Sequence, residues 1–302
     1  MSVLTATDPA RAFEAYQRVR PRLPEARFPQ RCHAVGNLGE IAAEFDLILL
    51  DAYGVLNVGE TPIPGAAKRI ANLREQGKPL MVVSNSAGYP KRRMMHRYAK
   101  LGFDFSPAEV VTSREALLAE LATAPPRRWG VMLTQEPGDD ELLDFDIVYL
   151  GDFREEYDRA EGFLLIGADG WTEARQALLT ASLRAHPRPV CIGNPDLVAP
   201  REGGLTQEPG YFAHRLVDEA GVTPEFVGKP FPGIFDLALA RLASKPSRVL
   251  MVGDTLHTDI LGGAHMGFAT ALVTADGSLS GLDVGEAIET SGIVPDFVMH
   301  RI

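Results

Sequence analysis

Residues 45–56, FDLILLDAYGVL, constrain the fold of this chain more than any other segment. Residues 47–50 form a continuous apolar run of the length expected for a strand buried inside a parallel sheet, although periodicity alone does not distinguish it from a buried helix. Gly54 and the turn that it indicates favour the strand. In an open α/β sheet, reactive groups gather at the carboxyl ends of the strands. Asp51 follows the run directly, so we predict that it lies at such an end and has a functional role.

Composition limits the architecture and the class of ligand. A chain of 302 residues with 45% hydrophobic content can bury a large core, and its length favours two domains over one. The formal net charge of -10 argues against general affinity for nucleic acid or for an anionic membrane, since either would need a basic patch. Positive charge for an anionic substrate must therefore come from individual residues of the site.

The first residues and the cysteines predict a cellular setting. Residues 1–20 are polar and charged, so they predict neither a signal peptide nor a membrane anchor. Cys32 and Cys191 suit a reducing, cytoplasmic compartment and predict no cysteine cluster for a metal.

The order of the predicted elements indicates a parallel sheet interrupted by a second α/β unit. Apolar strands are predicted at residues 47–50, 80–83, 109–111, 225–227, 249–252, 270–273 and 296–298, and strands of a second series near 130–133, 146–150, 163–167 and 189–193. Helices are predicted at residues 8–20, with Asp8 as N-cap, and at 37–45, 64–77, 90–101, 113–123, 172–185 and 209–220, with another from about Thr258. A proline-rich segment at 124–128 separates the two series.

We therefore predict an α/β protein with a Rossmann-like, doubly wound parallel sheet and right-handed connections as its core. Residues 37–125 and 223–302 are assigned to the core domain, and residues 126–222 to an inserted α/β domain. Residues 1–36 are assigned to an N-terminal helical extension.

Four polar residues at or after the ends of predicted strands suit phosphate chemistry. Asp51 and Asp254 could share a hard cation such as Mg²⁺, which binds through one or two carboxylates together with phosphate oxygens of a substrate. Ser84 offers a hydroxyl and Lys229 a positive charge to the same anion. A cation and a lysine beside Asp51 would keep it ionised, as a nucleophile must be.

Several motifs together resemble class IIA of the haloacid dehalogenase (HAD) superfamily, which contains nitrophenyl-phosphate, nucleotide and pyridoxal-phosphate phosphatases. No single motif is specific, but their order and spacing are. The motifs are DAYGVL at 51–56 with Gly59 and PGA at 64–66, SNS at 84–86, NPD at 194–196, GKP at 228–230 and GDTLHTD at 253–259. The resemblance implies the HAD fold with a C2-type cap as the inserted domain.

The resemblance also implies roles for individual residues. Asp51 would attack phosphorus and form an aspartyl-phosphate that water hydrolyses. Mg²⁺ would be held by Asp51, by the backbone carbonyl of Tyr53 and by Asp254. Ser84 would bind a phosphoryl oxygen, Lys229 would neutralise the phosphate and the nucleophile, and Asp259 and Asn85 would support the site. In the cap, Asn194 and Asp196 are candidate substrate residues.

Tyr53 departs from the phosphatase pattern. Phosphatases of this superfamily carry a second aspartate two residues after the nucleophile, as general acid for the leaving alcohol. A phenol, with an ordinary pKa of about 10, is a poorer acid at neutral pH, and general acid–base catalysis typically contributes about 100- to 10,000-fold. The substrate could have a good leaving group, another residue such as His257 could act, or turnover could be weak. His257 itself is expected to be structural.

Tyr53 leaves two alternative functions open. The chain could be a phosphate-ligand binding protein with weak or lost turnover. It could also resemble the 2-haloacid dehalogenases, which share a tyrosine at this position and use no metal. Those enzymes place their cap between the first two motifs, but only 33 residues separate Asp51 from Ser84, whereas 145 separate Ser84 from Lys229. The spacing therefore favours a class IIA phosphatase over a dehalogenase.

The resemblance further implies a small phosphorylated metabolite as the substrate. The cap would close over the site and exclude water. Class IIA relatives often pair through their caps, so a homodimer is expected by analogy.

Overall fold

The computed structural model of the protein describes residues 8–134 and 140–302. The strands in this part of the chain are β1 (His33–Ala34), β2 (Leu47–Leu50), β3 (Asn57–Val58), β4 (Thr61–Pro62), β5 (Leu80–Ser84), β6 (Val110–Thr112), β7 (Trp129–Met132), β8 (Ile147–Tyr149), β9 (Gly162–Leu165), β10 (Val190–Ile192), β11 (Val198–Arg201), β12 (Gly204–Gln207), β13 (Glu225–Phe226), β14 (Val249–Gly253), β15 (Ala269–Val273) and β16 (Phe297–Met299).

The helices of the same residues alternate with these strands. They are α1 (Pro9–Val19), α2 (Ala66–Glu75), α3 (Lys91–Lys100), α4 (Ser113–Thr123), α5 (Arg154–Asp158), α6 (Glu173–Ala185), α7 (Pro209–Ala220), α8 (Pro232–Ala240), α9 (Leu261–His265) and α10 (Val284–Ser291). None of the helices in the described part of the chain combines the length and the apolar character needed to cross a membrane.

The larger sheet has seven parallel strands in the order β1-β16-β15-β14-β2-β5-β6. Every residue of β2 is buried, because alternate side chains enter two different apolar clusters: Ile48 and Leu50 belong to one, Leu47 and Leu49 to the other. A strand covered on both faces reads as a continuous apolar run, which is why residues 47–50 predicted it correctly. The α/β class and the parallel core are confirmed.

The smaller sheet is also parallel, with five strands in the order β13-β10-β9-β7-β8. It is inserted in the chain between Ser84 and Lys229, as predicted. The assignment of the strand at residues 225–227 to the larger sheet is wrong, since Cys191 of β10 pairs with Glu225 and Ile192 with Phe226. A two-residue strand carries too short an apolar pattern to identify its partner.

Several short elements differ from the prediction. The helix predicted at residues 37–45 is instead two 3-10 turns, Leu38–Glu40 and Ala42–Glu44, although Asn37 does cap the first. The helix expected from Thr258 begins as a π-helical turn, Leu256–Ile260. The hairpins β3–β4 and β11–β12 were not predicted.

Helix α1 contacts both the core and the inserted unit. Asp8 caps it, as predicted, by accepting a hydrogen bond from the Ala10 amide at 3.2 Å. The Tyr16 ring stacks on His257, which follows β14 of the larger sheet, with the ring centroids 5.1 Å apart. The Tyr16 hydroxyl accepts a hydrogen bond from the amide of Leu197, before β11, at 3.0 Å. Helix α1, which lies in the predicted N-terminal extension, is therefore packed between the core and the inserted unit, whereas β1 of the same predicted extension pairs with β16 in the larger sheet.

Leu49 offers a test of the buried sheet. It is fully buried in β2, so Leu49→Ala should lower the free energy of unfolding by about 2–5 kcal/mol through lost transfer free energy and the cavity left behind. Leu143→Ala is the matched control, because Leu143 is 74% exposed. Urea denaturation measures both variants, and equal midpoints would contradict the placement of β2.

The packing of His257 under α1 predicts a pH dependence of stability. Burial, with a smaller contribution from Arg20, lowers the pKa of His257 to about 3, below the ordinary value near 6.5 that it has when unfolded. The contribution of the neutral imidazole to stability is therefore complete above about pH 6.5 and is lost as the pH falls toward 3. The free energy of unfolding lost in this way is about 2 kcal/mol at pH 5. His257→Gln should remove this component.

Thermal or urea unfolding between pH 5 and 8 measures the effect. His300→Gln, at an exposed position, controls for the loss of an imidazole as such. If His257→Gln lowers the free energy of unfolding by the same amount at pH 5 and at pH 8, the acid sensitivity has another source.

Candidate active site

The reactive residues lie where three neighbouring strands of the larger sheet end. Strand β2 pairs with β14 on one side and with β5 on the other, and all three run in the same direction. Asp51 follows β2, Asp254 follows β14, and Ser84 is the last residue of β5. The topology thus brings together side chains that are far apart in sequence, as predicted.

Three carboxylates converge at this edge. Asp51, Asp254 and Asp259 each have an oxygen within 4.8 Å of the others. Their closeness depends on glycines: a Cβ at Gly54 would lie 2.6 Å from Asp254 Cγ, and one at Gly253 would lie 2.1 Å from Asp259. Gly54 also has a φ of 79°, a left-handed conformation that glycine adopts without strain.

Lys229 lies among these carboxylates and is 1% exposed. Its Nζ is 2.5 Å from Asp51 Oδ1 and 2.8 Å from Asp259 Oδ1, and it donates to the Val83 carbonyl at 2.7 Å. Burial acts to lower the pKa of Lys229, but the negative charges of Asp259, Asp51 and Asp196 outweigh it and raise the pKa above its usual value. The lysine is therefore an ammonium.

One ammonium does not neutralise three buried carboxylates. Burial raises the pKa of Asp51, and the charge of Asp259 adds to this while Lys229 opposes it. Burial also raises the pKa of Asp254, with further contributions from Asp259 and Asp51. Excess negative charge on closely spaced oxygens is the environment that a hard divalent cation binds. The residues present therefore fit a hard divalent cation.

The second carboxylate of this pair is fixed by its own loop. Asp254 Oδ2 accepts from the Ser278 amide at 2.6 Å, and its Oδ1 accepts from the Thr255 hydroxyl at 3.1 Å. Asp259 Oδ2 accepts from the amides of Asp254 and Thr255 at 3.2 and 3.1 Å. These contacts orient both carboxylates before any ligand binds. The sequence motif identified Asp254 and Asp259, but Ser278 lies outside it.

Asn85 links the larger sheet to the inserted unit. Its Oδ1 accepts from the Lys229 amide at 2.7 Å, and its Nδ2 donates to the Lys229 carbonyl at 2.9 Å. The same Nδ2 donates to Asp196 Oδ1 at 2.8 Å. Asn85 therefore holds the lysine loop on one side and the NPD loop on the other.

Tyr53 is held between two arginines. The Arg97 guanidinium carbon lies 4.7 Å from the centre of its ring and that of Arg201, from β11, lies 4.4 Å away. Arg97 also donates a hydrogen bond to the Tyr53 hydroxyl. Cation–π contacts of this kind stabilise a fixed ring position. The phenol is thus part of an arginine–tyrosine stack that joins core and cap.

A cleft opens above these residues. Asp51, Ser84 and Asp254 line its floor. The inserted unit contributes polar groups to its walls, namely Thr134, Asp169, Asn194, Asp196, Arg201 and Glu208. The sequence did not indicate Arg201 or Glu208; the Gly203-Gly204 turn after Arg201 was the signal for the hairpin that carries Arg201.

Asn194 and His257 differ from the other predicted residues. Asn194 lines the cleft, but its Nδ2 donates to Glu208 at 3.1 Å and its Oδ1 accepts from the Asp196 amide at 3.0 Å. It therefore orients neighbours within the cap. His257 Nε2 is hydrogen-bonded to Gln17 at 2.8 Å, beneath α1. With a pKa lowered to about 3, His257 is not an acid for the leaving group, and its expected structural role agrees with these contacts.

Comparison with known proteins supports the same class of site. Two family models match, the haloacid dehalogenase-like hydrolase over residues 48–147 and the HAD-hydrolase-like family over residues 226–301. The acid sugar phosphatase of Staphylococcus aureus is 28% identical over 255 residues, covering 84% of this chain and 94% of that protein.

Solved structures with the same fold include two phosphatases. The p-nitrophenyl phosphatase of Archaeoglobus fulgidus has a TM-score of 0.68 at 25% identity, covering 85% of this chain and 96% of its own. The glycerol phosphate phosphatase of Mycobacterium tuberculosis, in complex with calcium, has a TM-score of 0.62 at 27% identity. The match covers 78% of this chain and 68% of that one. Together with the carboxylate and lysine geometry, these matches show that the chain belongs to the haloacid dehalogenase superfamily of hydrolases, in its class IIA.

Proposed function

We propose that the protein is a Mg²⁺-dependent phosphomonoester hydrolase that acts on a small phosphorylated metabolite. The observation that carries the proposal is the contact of Lys229 with Asp51 beside Asp254, on the floor of an open cleft. The relatives named as sugar, nitrophenyl and glycerol phosphate phosphatases support it. A sugar or polyol phosphate is the substrate class that we favour.

Asp51 is the proposed nucleophile. Its carboxylate attacks phosphorus, the bond from phosphorus to the ester oxygen breaks, and an aspartyl-phosphate forms; water then hydrolyses it and frees phosphate. Lys229 would offset the charge of the phosphoryl oxygens, and the Ser84 hydroxyl would donate a hydrogen bond to one of them. Positioning and charge neutralisation supply most of the catalysis of phosphoryl transfer.

Mg²⁺ would be held by Asp51, Asp254 and the backbone carbonyl of Tyr53, and when bound it supplies positive charge next to the phosphoryl group. The glycerol phosphate phosphatase of Mycobacterium tuberculosis has been solved in complex with magnesium, which supports this choice of ion. Asp259 is proposed to support the site through its contacts with Lys229 and with the amide of Asp254.

The polar cap wall favours a hydroxyl-bearing substrate. Thr134, Asp169 and Glu208 of the inserted unit line the cleft, and we expect the non-phosphate part of a substrate to lie against them. Hydrogen-bonding groups of this kind match sugar or polyol hydroxyls. The homodimer through the caps stays a prediction, measurable by sedimentation.

A second candidate is a binding protein for phosphate esters. The observation that favours it is the stacked Tyr53, whose hydroxyl accepts from Arg97 instead of offering a carboxyl to the leaving group. Binding and hydrolysis share the carboxylates and the lysine, so turnover alone distinguishes them. Release of halide from 2-haloacids without metal would favour the dehalogenase alternative.

Phosphate release from a panel of phosphate esters tests the proposal. Asp51→Asn should lower kcat by about 1,000-fold or more, because the amide cannot act as the nucleophile. Asp236→Asn is the matched control, since Asp236 is exposed on α8. Tight substrate binding by wild type without phosphate release would favour the binding protein.

Mg²⁺ should raise the melting temperature of the protein. A ligand at 100 times its Kd stabilises the folded state by about 2.7 kcal/mol, and Asp254→Asn should abolish the shift by removing a ligand. Sodium chloride at equal ionic strength controls for screening. Equal shifts in wild type and in the variant would place the ion elsewhere.

A further inference from the structure

The proposed reaction requires a proton for the leaving oxygen, and the position that carries the acid in related phosphatases holds Tyr53. The Tyr53 hydroxyl is bound by Arg97 and its ring lies against Arg201. His257 is buried under α1. The cleft is lined by other carboxyls that have the chemistry of a proton donor, and Asp196 is one of them.

We propose that Asp196, from the inserted unit, is the general acid and base of the reaction. This inference rests on the proposed phosphatase function. Asp196 lines the same cleft as Asp51 and Ser84, and its carboxyl is held at the site by Asn85. The acid is thus supplied by the cap and not by the strand that carries the nucleophile.

Asn85 fixes one oxygen of Asp196. Its Nδ2 donates to Asp196 Oδ1 at 2.8 Å while its Oδ1 accepts from the Lys229 amide at 2.7 Å. Lys229 Nζ in turn contacts Asp51 Oδ1 at 2.5 Å. Three consecutive contacts therefore connect the proposed acid to the proposed nucleophile.

The loop of Asp196 packs directly on the lysine loop. A Cβ at Gly228 would lie 2.8 Å from Pro195 Cδ, and Gly228 has a φ of 123°, so both space and conformation require glycine there. A Cβ at Gly210, in α7, would lie 2.0 Å from the Pro195 carbonyl oxygen. The loop is thus held between Gly228 of the core and α7 of the cap.

Two further hydrogen bonds orient the same loop. Asn194 Oδ1 accepts from the Asp196 amide at 3.0 Å, and the Tyr16 hydroxyl accepts from the Leu197 amide at 3.0 Å. The backbone of Asp196 is therefore held by the cap, and that of the next residue, Leu197, by α1. Preorganisation of this kind is what a proton donor needs to be in place when charge develops.

The surroundings of Asp196 raise the pKa of its carboxyl, with burial as the largest cause. Burial raises the pKa of Asp196; Lys229 lowers it, and the negative charges of Asp51 and Asp259 raise it again. From α1 the facing group is Tyr16, whose pKa is raised well above its usual value by burial, so it adds no charge. The pKa of Asp196 stays well above that of an ordinary aspartic acid.

The proton balance is as follows. As Asp51 attacks phosphorus, the ester oxygen leaves with the electron pair of its bond to phosphorus and takes the proton of Asp196, giving the alcohol and the Asp196 carboxylate. In the second step, water attacks the aspartyl-phosphate and gives a proton to Asp196. The bond from phosphorus to Asp51 then breaks, which restores the Asp51 carboxylate and releases phosphate.

Single-turnover kinetics of Asp196→Asn test the proposal. With glycerol phosphate or glucose 6-phosphate, the alkoxide must be protonated, so the rate of the first turnover should fall about 100-fold or more. With p-nitrophenyl phosphate, whose leaving group is stable as an anion, the first burst of nitrophenolate should fall less than about tenfold while steady-state turnover falls further, because the second step lacks its base.

Two more variants separate an acid from a structural residue. Asp144→Asn, at an exposed position of the inserted unit, is the control for the loss of a carboxyl. Adding Tyr53→Asp to Asp196→Asn should recover turnover of the alkyl phosphates by placing a carboxyl at the usual position of the acid. A structural role for Asp196 would not predict this recovery.

The outcomes distinguish this inference from the proposed function. Equal losses on both ester types, or an unchanged first turnover with the alkyl phosphates, would overturn the assignment of Asp196 while leaving the phosphatase proposal in place. If wild type releases no phosphate from any ester, the phosphatase proposal fails and the acid with it.

Discussion

The contact of a buried ammonium with two buried carboxylates determines how the rest of this structure is arranged. Lys229 is almost fully excluded from water, and such a charge is tolerated only where partners compensate for lost hydration. Asp51 and Asp259 provide that compensation, together with the Val83 carbonyl. Removing any one member would leave a buried charge without its partner, so the same contacts that suit the site to phosphate also hold its two halves together.

The cluster is built from parts of the chain on both sides of the inserted unit. Asp51 and Asp254 come from adjacent strands, but Lys229 is reached only after the whole inserted unit has been completed. Asn85 connects these parts, because it contacts the backbone of Lys229 and the side chain of Asp196 simultaneously. Core and cap therefore share one hydrogen-bonded network. A movement of the cap would disturb the hydrogen bonds that hold the backbone of Lys229.

The features that could be predicted from the sequence are those with a local pattern of residues. Buried strands such as β2 and β14 appear as apolar runs, and the polar residues that end them appear as motifs, so Asp51, Ser84, Lys229 and Asp254 were all found together at the expected sheet edge. Their catalytic roles stay predictions until they are measured.

Long-range pairing was not predictable in this way. The partner of β13 and the stacking of Arg201 on Tyr53 depend on how distant segments meet, and no local period records that. The helix predicted at residues 37–45 is two 3-10 turns, because the Asn37 cap that indicated a helix also caps a 3-10 turn and does not specify which of the two follows.

Helix α1 has a consequence for how firmly the inserted unit is held. Its Ala12, Tyr16 and Val19 form one apolar cluster with Leu197, Val198 and Leu205, while the opposite side of Tyr16 lies on His257. Separation of the inserted unit from α1 would expose this cluster to water, and each square ångström of apolar surface so exposed costs about 25 cal/mol. Helix α1 therefore adds to the free energy needed to part the inserted unit from the larger sheet, although its contacts lie outside the cluster of carboxylates and lysine.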